Sequence, residues 1–193
     1  VCDLGNADGT AGSTDGGAWD YSSEVAYPFG YGMSYTTFEY SGFDVRRDGD
    51  DYVATLTVTN TGSEYSGRES VQIYLSKPYG EYENTNGVEQ SAIDLVGFAK
   101  TELIQPGDDA EVTIEFDPYY LASYDYSGAN DIEGTGYELD GGDGYMLYVA
   151  ENSHDRSRPI PFSVPDAGIR YDVDPVTENP VVNRYTGNED EWM

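Results

Sequence analysis

Residues 52–60 read YVATLTVTN, and this stretch decides the fold class. Tyr52, Ala54, Leu56 and Val58 fall on one face, with Val53 and three threonines on the other. A period of two with β-branched and aromatic residues is the signature of a strand. The same reading holds for Ser70–Ser76 (SVQIYLS), where Val71, Ile73 and Leu75 alternate with Gln72 and Tyr74. It holds again for Ala110–Phe116 (AEVTIEF), which sets Val112, Ile114 and Phe116 against Glu111, Thr113 and Glu115. Gly144–Ala150 (GYMLYVA) is apolar on both faces and reads as a central strand. Pro159, Pro161 and Pro165 mark an edge strand, because proline donates nothing to a ladder.

Turn signals separate these runs. Asp48-Gly49-Asp50-Asp51 suits a tight hairpin; Asn60-Thr61-Gly62, Pro106-Gly107-Asp108 and Gly141–Gly144 mark further turns. No helical stripe spans three turns, and Pro118–Tyr124 allows one short turn of helix. The pattern predicts an all-β, two-sheet sandwich with Leu56, Val58, Val71, Ile73, Leu75, Val112, Ile114 and Phe116 inward. Residues 1–24 lack any apolar period and read as an arm; residues 166–193 return to Asp, Pro and Asn and read as an acidic exit linker.

Composition narrows the function classes. The chain has 193 residues, with 37 acidic side chains against 9 basic ones, a formal charge of −28. Such a chain repels phosphate and anionic lipid, which argues against nucleic-acid and membrane-surface partners. Fourteen per cent aromatics, 19 of them Tyr, argue against disorder. The lone Cys2 leaves no disulfide framework or cysteine-rich metal site. There is no apolar run of the ~20 residues a spanning helix needs, and the start does not read as a signal peptide. The chain opens on Val1, so it reads as a piece of something longer, and the compartment stays open.

Ala26–Phe38, AYPFGYGMSYTTF, resembles the YPFGYGLSYT-F hallmark of glycoside hydrolase family 3, with Met33 where Leu is usual. VTNTGSEYSGRESVQIYLSKP, DLVGFAKTELIQPGDDAEVTIEF and GDGYMLYVAENSHD follow in the order of that family's fibronectin type III-like domain. The likeness runs from about Val25 to Pro165; the region Asp125–Asp143 is longer than the family's minimal hairpin. The resemblance implies an immunoglobulin/fibronectin III-like sandwich with irregular arms, divided as connector 1–35, sandwich 36–165 and linker 166–193. It implies a non-catalytic accessory role in a β-glucosidase- or β-xylosidase-type enzyme of carbohydrate metabolism. The partners would be that polypeptide's barrel and α/β sandwich domains. Neither Trp19 nor Trp192 stands in the family's nucleophile context, so no catalytic residue is carried over. The tail Asn179–Met193 resembles the link into a following barrel in permuted members.

The candidate interface is Tyr27, Pro28, Phe29, Gly30, Tyr31 and Gly32, with Tyr35 continuing the aromatic strip. The alternative reading is a carbohydrate-binding module that grips an oligosaccharide through the loop Tyr79–Asn86, with Tyr79 and Tyr82 as sugar contacts. A weaker third reading is calcium-dependent adhesion through the acidic loops Asp48–Asp51, Asp131–Glu133 and Asp140–Asp143; none has EF-hand spacing, and turn chemistry accounts for them. His154, the single histidine, reads as a solvated turn residue. No cofactor or metal is expected, and no carboxylate pair is set in surroundings that would raise one pKa as an acid catalyst requires.

Overall fold

The computed structural model describes residues 25–88, 90–127, 136–165 and 167–181. The arm over 1–24, the loop Asp131–Glu133, Cys2 and both tryptophans lie outside the described residues. Two antiparallel sheets face each other. One joins β1 (Phe38–Asp48), β2 (Asp51–Asn60) and β5 (Asp109–Phe116) in the order β1-β2-β5. The other joins β3 (Ser70–Ser76), β4 (Asp94–Lys100), β8 (Gly142–Ala150) and β9 (Pro159–Val164) in the order β4-β3-β8-β9. Strand β8 is central, and the proline-bearing β9 takes the edge, as its sequence requires.

All eight residues expected inward are buried, and they share one core with Tyr52, Leu147, Val149 and Phe162. The reason is the period of two: in each of β2, β3 and β5 one face meets the opposite sheet, so its alternate residues must be apolar. Asp48 pairs with Asp51 across the first hairpin, where Gly49 takes a φ of 67° that favours glycine. Pro118–Leu121 forms the short 3-10 turn, capped by the Asp117 carboxylate, which accepts the Tyr119 N–H at 2.8 Å.

Three features differ from the sequence reading. A third, small sheet joins β6 (Ser123–Asp125), β7 (Gly136–Leu139) and β10 (Ile169–Tyr171). Strand β10 therefore continues the pairing inside the stretch read as exit linker, and Arg170 fastens it through a 3.0 Å ion pair to the buried Glu138. Strands of three or four residues are too short to show an alternation. The segment read as a loop over Tyr79–Asn86 contains a helix, α1 (Glu81–Asn86). Glu83 caps its start by accepting the Gly80 N–H at 2.7 Å. Gly87, at φ 68°, ends it after too few residues to display a helical stripe.

Much of the tyrosine content goes into packing. Tyr119 meets Tyr137, Tyr171 and Tyr120 edge-on at ring separations of 5.5, 5.2 and 5.5 Å, and Tyr124 meets Tyr137 at 5.3 Å. Burial pushes the phenols of Tyr52 and Tyr145 up, and burial with Asp117 nearby pushes Tyr171 up to about 12. These groups stay protonated in the folded chain after an unfolded one has lost its protons. Their contribution is whole below about pH 10 and is lost as pH rises towards the folded values. A pH titration by circular dichroism and phenolate absorbance is therefore expected to show cooperative unfolding above pH 10, with the phenolate of these buried tyrosines appearing in the same step. Full phenolate absorbance while the circular dichroism signal is still native would contradict this.

Candidate docking site

The connector strip is fastened to the sandwich through its backbone. The Ser153 N–H donates to the Phe29 carbonyl at 2.9 Å. On β3, the Gln72 amide donates to the Gly30 carbonyl at 3.3 Å and to the Glu151 carbonyl at 2.8 Å, and its Oε1 accepts the Tyr74 hydroxyl at 2.6 Å. The strip turns back on itself where the Tyr31 N–H donates to the Pro28 carbonyl at 3.0 Å. Gly30 sits third in that turn at φ 82°, the conformation a turn of this kind reserves for glycine. Further along, Thr36 donates to Asn60 Oδ1 at 2.6 Å, and the Thr61 N–H donates to the Thr37 carbonyl at 2.9 Å.

With the backbone held inward, the side chains point out. Tyr27, Phe29, Tyr31, Met33 and Tyr35 are 74, 41, 48, 91 and 92% exposed, Pro28 is half-buried, and Gly32 is exposed. Tyr27 and Tyr31 lean on each other at 5.2 Å, and Tyr35 leans on Tyr65 at 6.1 Å. A contiguous exposed apolar surface of this kind marks an interaction site far more often than a bare monomer face.

Gly30 is the pivot. A Cβ there would stand 2.0 Å from Gln72 Oε1, and the positive φ adds about 1–2 kcal/mol of strain for any side chain. Gly30→Ala is expected to loosen the strip while leaving the core intact. Exchange of the Ser153 amide should then speed up about tenfold or more, a free-energy change of about 1.4 kcal/mol. Unchanged exchange would mean that the strip does not depend on this seat.

The strip and the second sheet enclose an open cleft of about 540 Å³, lined among others by Tyr31, Met33, Arg68, Glu69, Lys100 and Glu151. Glu69, with Glu151 beside it, corrects the expectation that no carboxylate pair is set in surroundings that would raise one pKa. Burial raises it, the charge of Glu151 adds to the rise, and the hydrogen bond from the Tyr40 hydroxyl, 2.7 Å to Oε1, opposes it. Tyr40 is itself raised by burial first and then by that same bond, and Arg158 lies 5.0 Å over its ring. Tyr40 belongs to the core, and its hydroxyl occupies the Glu69 Oε1.

The other sequence candidates lie outside the strip itself. Tyr79 is half-buried beside a small hollow of about 180 Å³ with Lys77, Gln90 and Arg156. Tyr82 is carried on α1, and its hydroxyl donates to the buried carboxylate of Asp125. His154, read as solvated, is instead half-buried in the turn after β8, with its Nε2 enclosed and its backbone N–H donating to Asn152 Oδ1 at 2.9 Å. Among the described residues no group of three or more His, Cys, Asp or Glu is placed to hold a metal ion.

Two signals for this site were present but easy to overlook. The fourteen residues Val25–Phe38 contain no charged side chain, in a chain where 24% are charged. Asn60, fully buried, is the second: its Nδ2 donates to the Tyr65 and Ile104 carbonyls at 2.9 and 3.0 Å, and its Oδ1 accepts from Thr36 and the Gly62 N–H. It ties the connector to the sandwich, which the composition of VTNTG does not disclose.

Two facing antiparallel sheets with this strand order define a fibronectin type III-like sandwich. Residues 69–153 match the family model described as the fibronectin type III-like domain. It is 41% identical over 104 residues to a β-glucosidase of Ruminococcus albus, a match covering 54% of this chain and 10% of that protein. It is 38% identical over 101 residues to a β-glucosidase of Kluyveromyces marxianus, covering 52% of this chain and 11% of that one. Among solved structures, β-glucosidase 3B of Thermotoga neapolitana in complex with glucose superposes with a TM-score of 0.63 at 33% identity, over 76% of this chain and 18% of that one. The chain thus spans about a tenth of the length of the curated relatives it matches.

Proposed function

We propose that this chain is a non-catalytic accessory domain of a β-glycoside-cleaving hydrolase of β-glucosidase type, and that it docks on other domains of the same polypeptide and holds them in place. One observation carries the reading: an uncharged aromatic strip is fastened by its backbone to the sandwich and left exposed on a polyanionic chain. Burying aromatic area drives association, and a patch without charge spares two bodies the repulsion and desolvation that charged faces would impose. The β-glucosidase relatives, each far longer than this chain, supply the polypeptide class in which such a domain serves. The catalytic barrel and the α/β sandwich domain are the neighbours proposed.

The test has two arms. The isolated chain is expected to release no product from an aryl β-glucoside or β-xyloside. Turnover that Glu69→Gln abolishes would overturn the non-catalytic reading. In the full-length polypeptide, Phe29→Ala is expected to lower the temperature at which activity is lost, while the isolated chain's midpoint stays put because that ring is 41% exposed. Equal destabilisation of both would make Phe29 a core residue and remove the docking role.

A further inference from the structure

Strand β4 carries an exposed aromatic ring that lies outside the connector strip. Phe98 is 73% exposed, the most exposed phenylalanine among the described residues. It stands directly opposite Gln72 in the β3–β4 ladder, and Gln72 is the residue that holds Gly30. Cross-strand partners share a face, so the Phe98 ring emerges one strand away from the anchored strip. A register shift turns it outward: Leu95 pairs with Tyr74 and Gly97 with Ile73, which leaves Val96 as the extra residue of a bulge. Gly97 then faces the core, where a Cβ would come within 2.6 Å of Ile114 Cγ2, and its successor Phe98 is directed away.

The cleft beside the strip is less acidic than the chain as a whole. Arg68 and Lys100 line it with Glu69 and Glu151, and Arg68 also pairs with Glu102 at 3.3 Å, in a chain that carries −28 overall. A basic partner would find stronger attraction almost anywhere else on this molecule. We infer that the docking face extends past the strip to Phe98, and that its occupant is an apolar projection of a neighbouring domain in the same polypeptide, held by burial and not by opposite charge. This rests on the docking role proposed above and adds the extent of the face and the chemistry of what covers it.

The test uses the full-length polypeptide and the isolated chain, each with and without Phe98→Ala, in calorimetry at 0.1 and 1 M NaCl. In the isolated chain Phe98→Ala should leave the midpoint nearly unchanged, because the ring is mostly in solvent. In the full-length protein it should lower the midpoint of this domain, and that lowering should be as large at 1 M NaCl as at 0.1 M. If the lowering by Phe98→Ala vanishes in salt, a charge-held occupant is indicated and the apolar one is wrong. If Phe98→Ala has no effect in the full-length protein while Phe29→Ala does, the face ends at the strip and the extension is overturned. If neither substitution affects the full-length protein, the docking role itself fails.

Discussion

Raising the salt concentration from 0.1 M to 1 M is expected to raise the isolated chain's thermal midpoint by on the order of 10 °C. Among the described residues, Arg46, Arg47, Arg68, Lys77, Arg158 and Arg170 make ion pairs. With 37 acids and only 9 cations, most acids have no cation to pair with. Two like charges 10 Å apart in water repel by about 0.4 kcal/mol, and a compact chain with this excess holds a great many such pairs. At 1 M the Debye length shrinks to about 3 Å and removes most of that repulsion. The opposing loss is small, since exposed pairs such as Arg46–Asp48 contribute little to begin with. Several kcal/mol of net gain correspond to a shift of that size in a chain of this length. A midpoint that stays level or falls with salt would show that self-repulsion is not what limits this fold.

Replacing Asn60 is expected to be the most damaging single substitution outside the apolar core, costing about 3 kcal/mol or more as Asn60→Ala. The side chain uses both its donor and its acceptor ends, and the Ile104 carbonyl it serves is enclosed. Chemical denaturation of the isolated chain measures the loss. Asn60→Asp sharpens the test, because it keeps the acceptor but sets a carboxylate oxygen against the Tyr65 and Ile104 carbonyls. Protonation would restore a donor, so the folded chain should bind that proton more tightly than the unfolded one. The variant's stability should therefore be greatest at acid pH and decline as pH rises through the carboxylate range. A loss below about 1 kcal/mol in Asn60→Ala would mean that water replaces these bonds freely.

The core strands could be read from the sequence because burial on one face imposes a period of two, and β2, β3 and β5 are each long enough to show it. The bulge in β4 hid Phe98: strict alternation puts Val96 and Phe98 on one face, whereas the extra residue buries the first and exposes the second. Strands β6, β7 and β10 and helix α1 are three to six residues each, held by contacts distant in sequence such as Arg170 with Glu138. The aromatic rings of the strip were legible as types. Their anchoring was not, because the Phe29–Ser153 and Gly30–Gln72 contacts are made by backbone carbonyls, which every residue carries.

The central claim is that the strip is a covered interface in the intact polypeptide. Hydroxyl-radical labelling tests it most directly, since Tyr27, Phe29, Tyr31 and Met33 all react readily when exposed. In the isolated chain all four should be labelled in keeping with their exposure, Met33 most strongly. In the full-length polypeptide at the same concentration they should be protected together, while Tyr120, exposed on the far 3-10 turn, keeps its reactivity. Labelling of the four residues that is equal in both proteins would contradict the account.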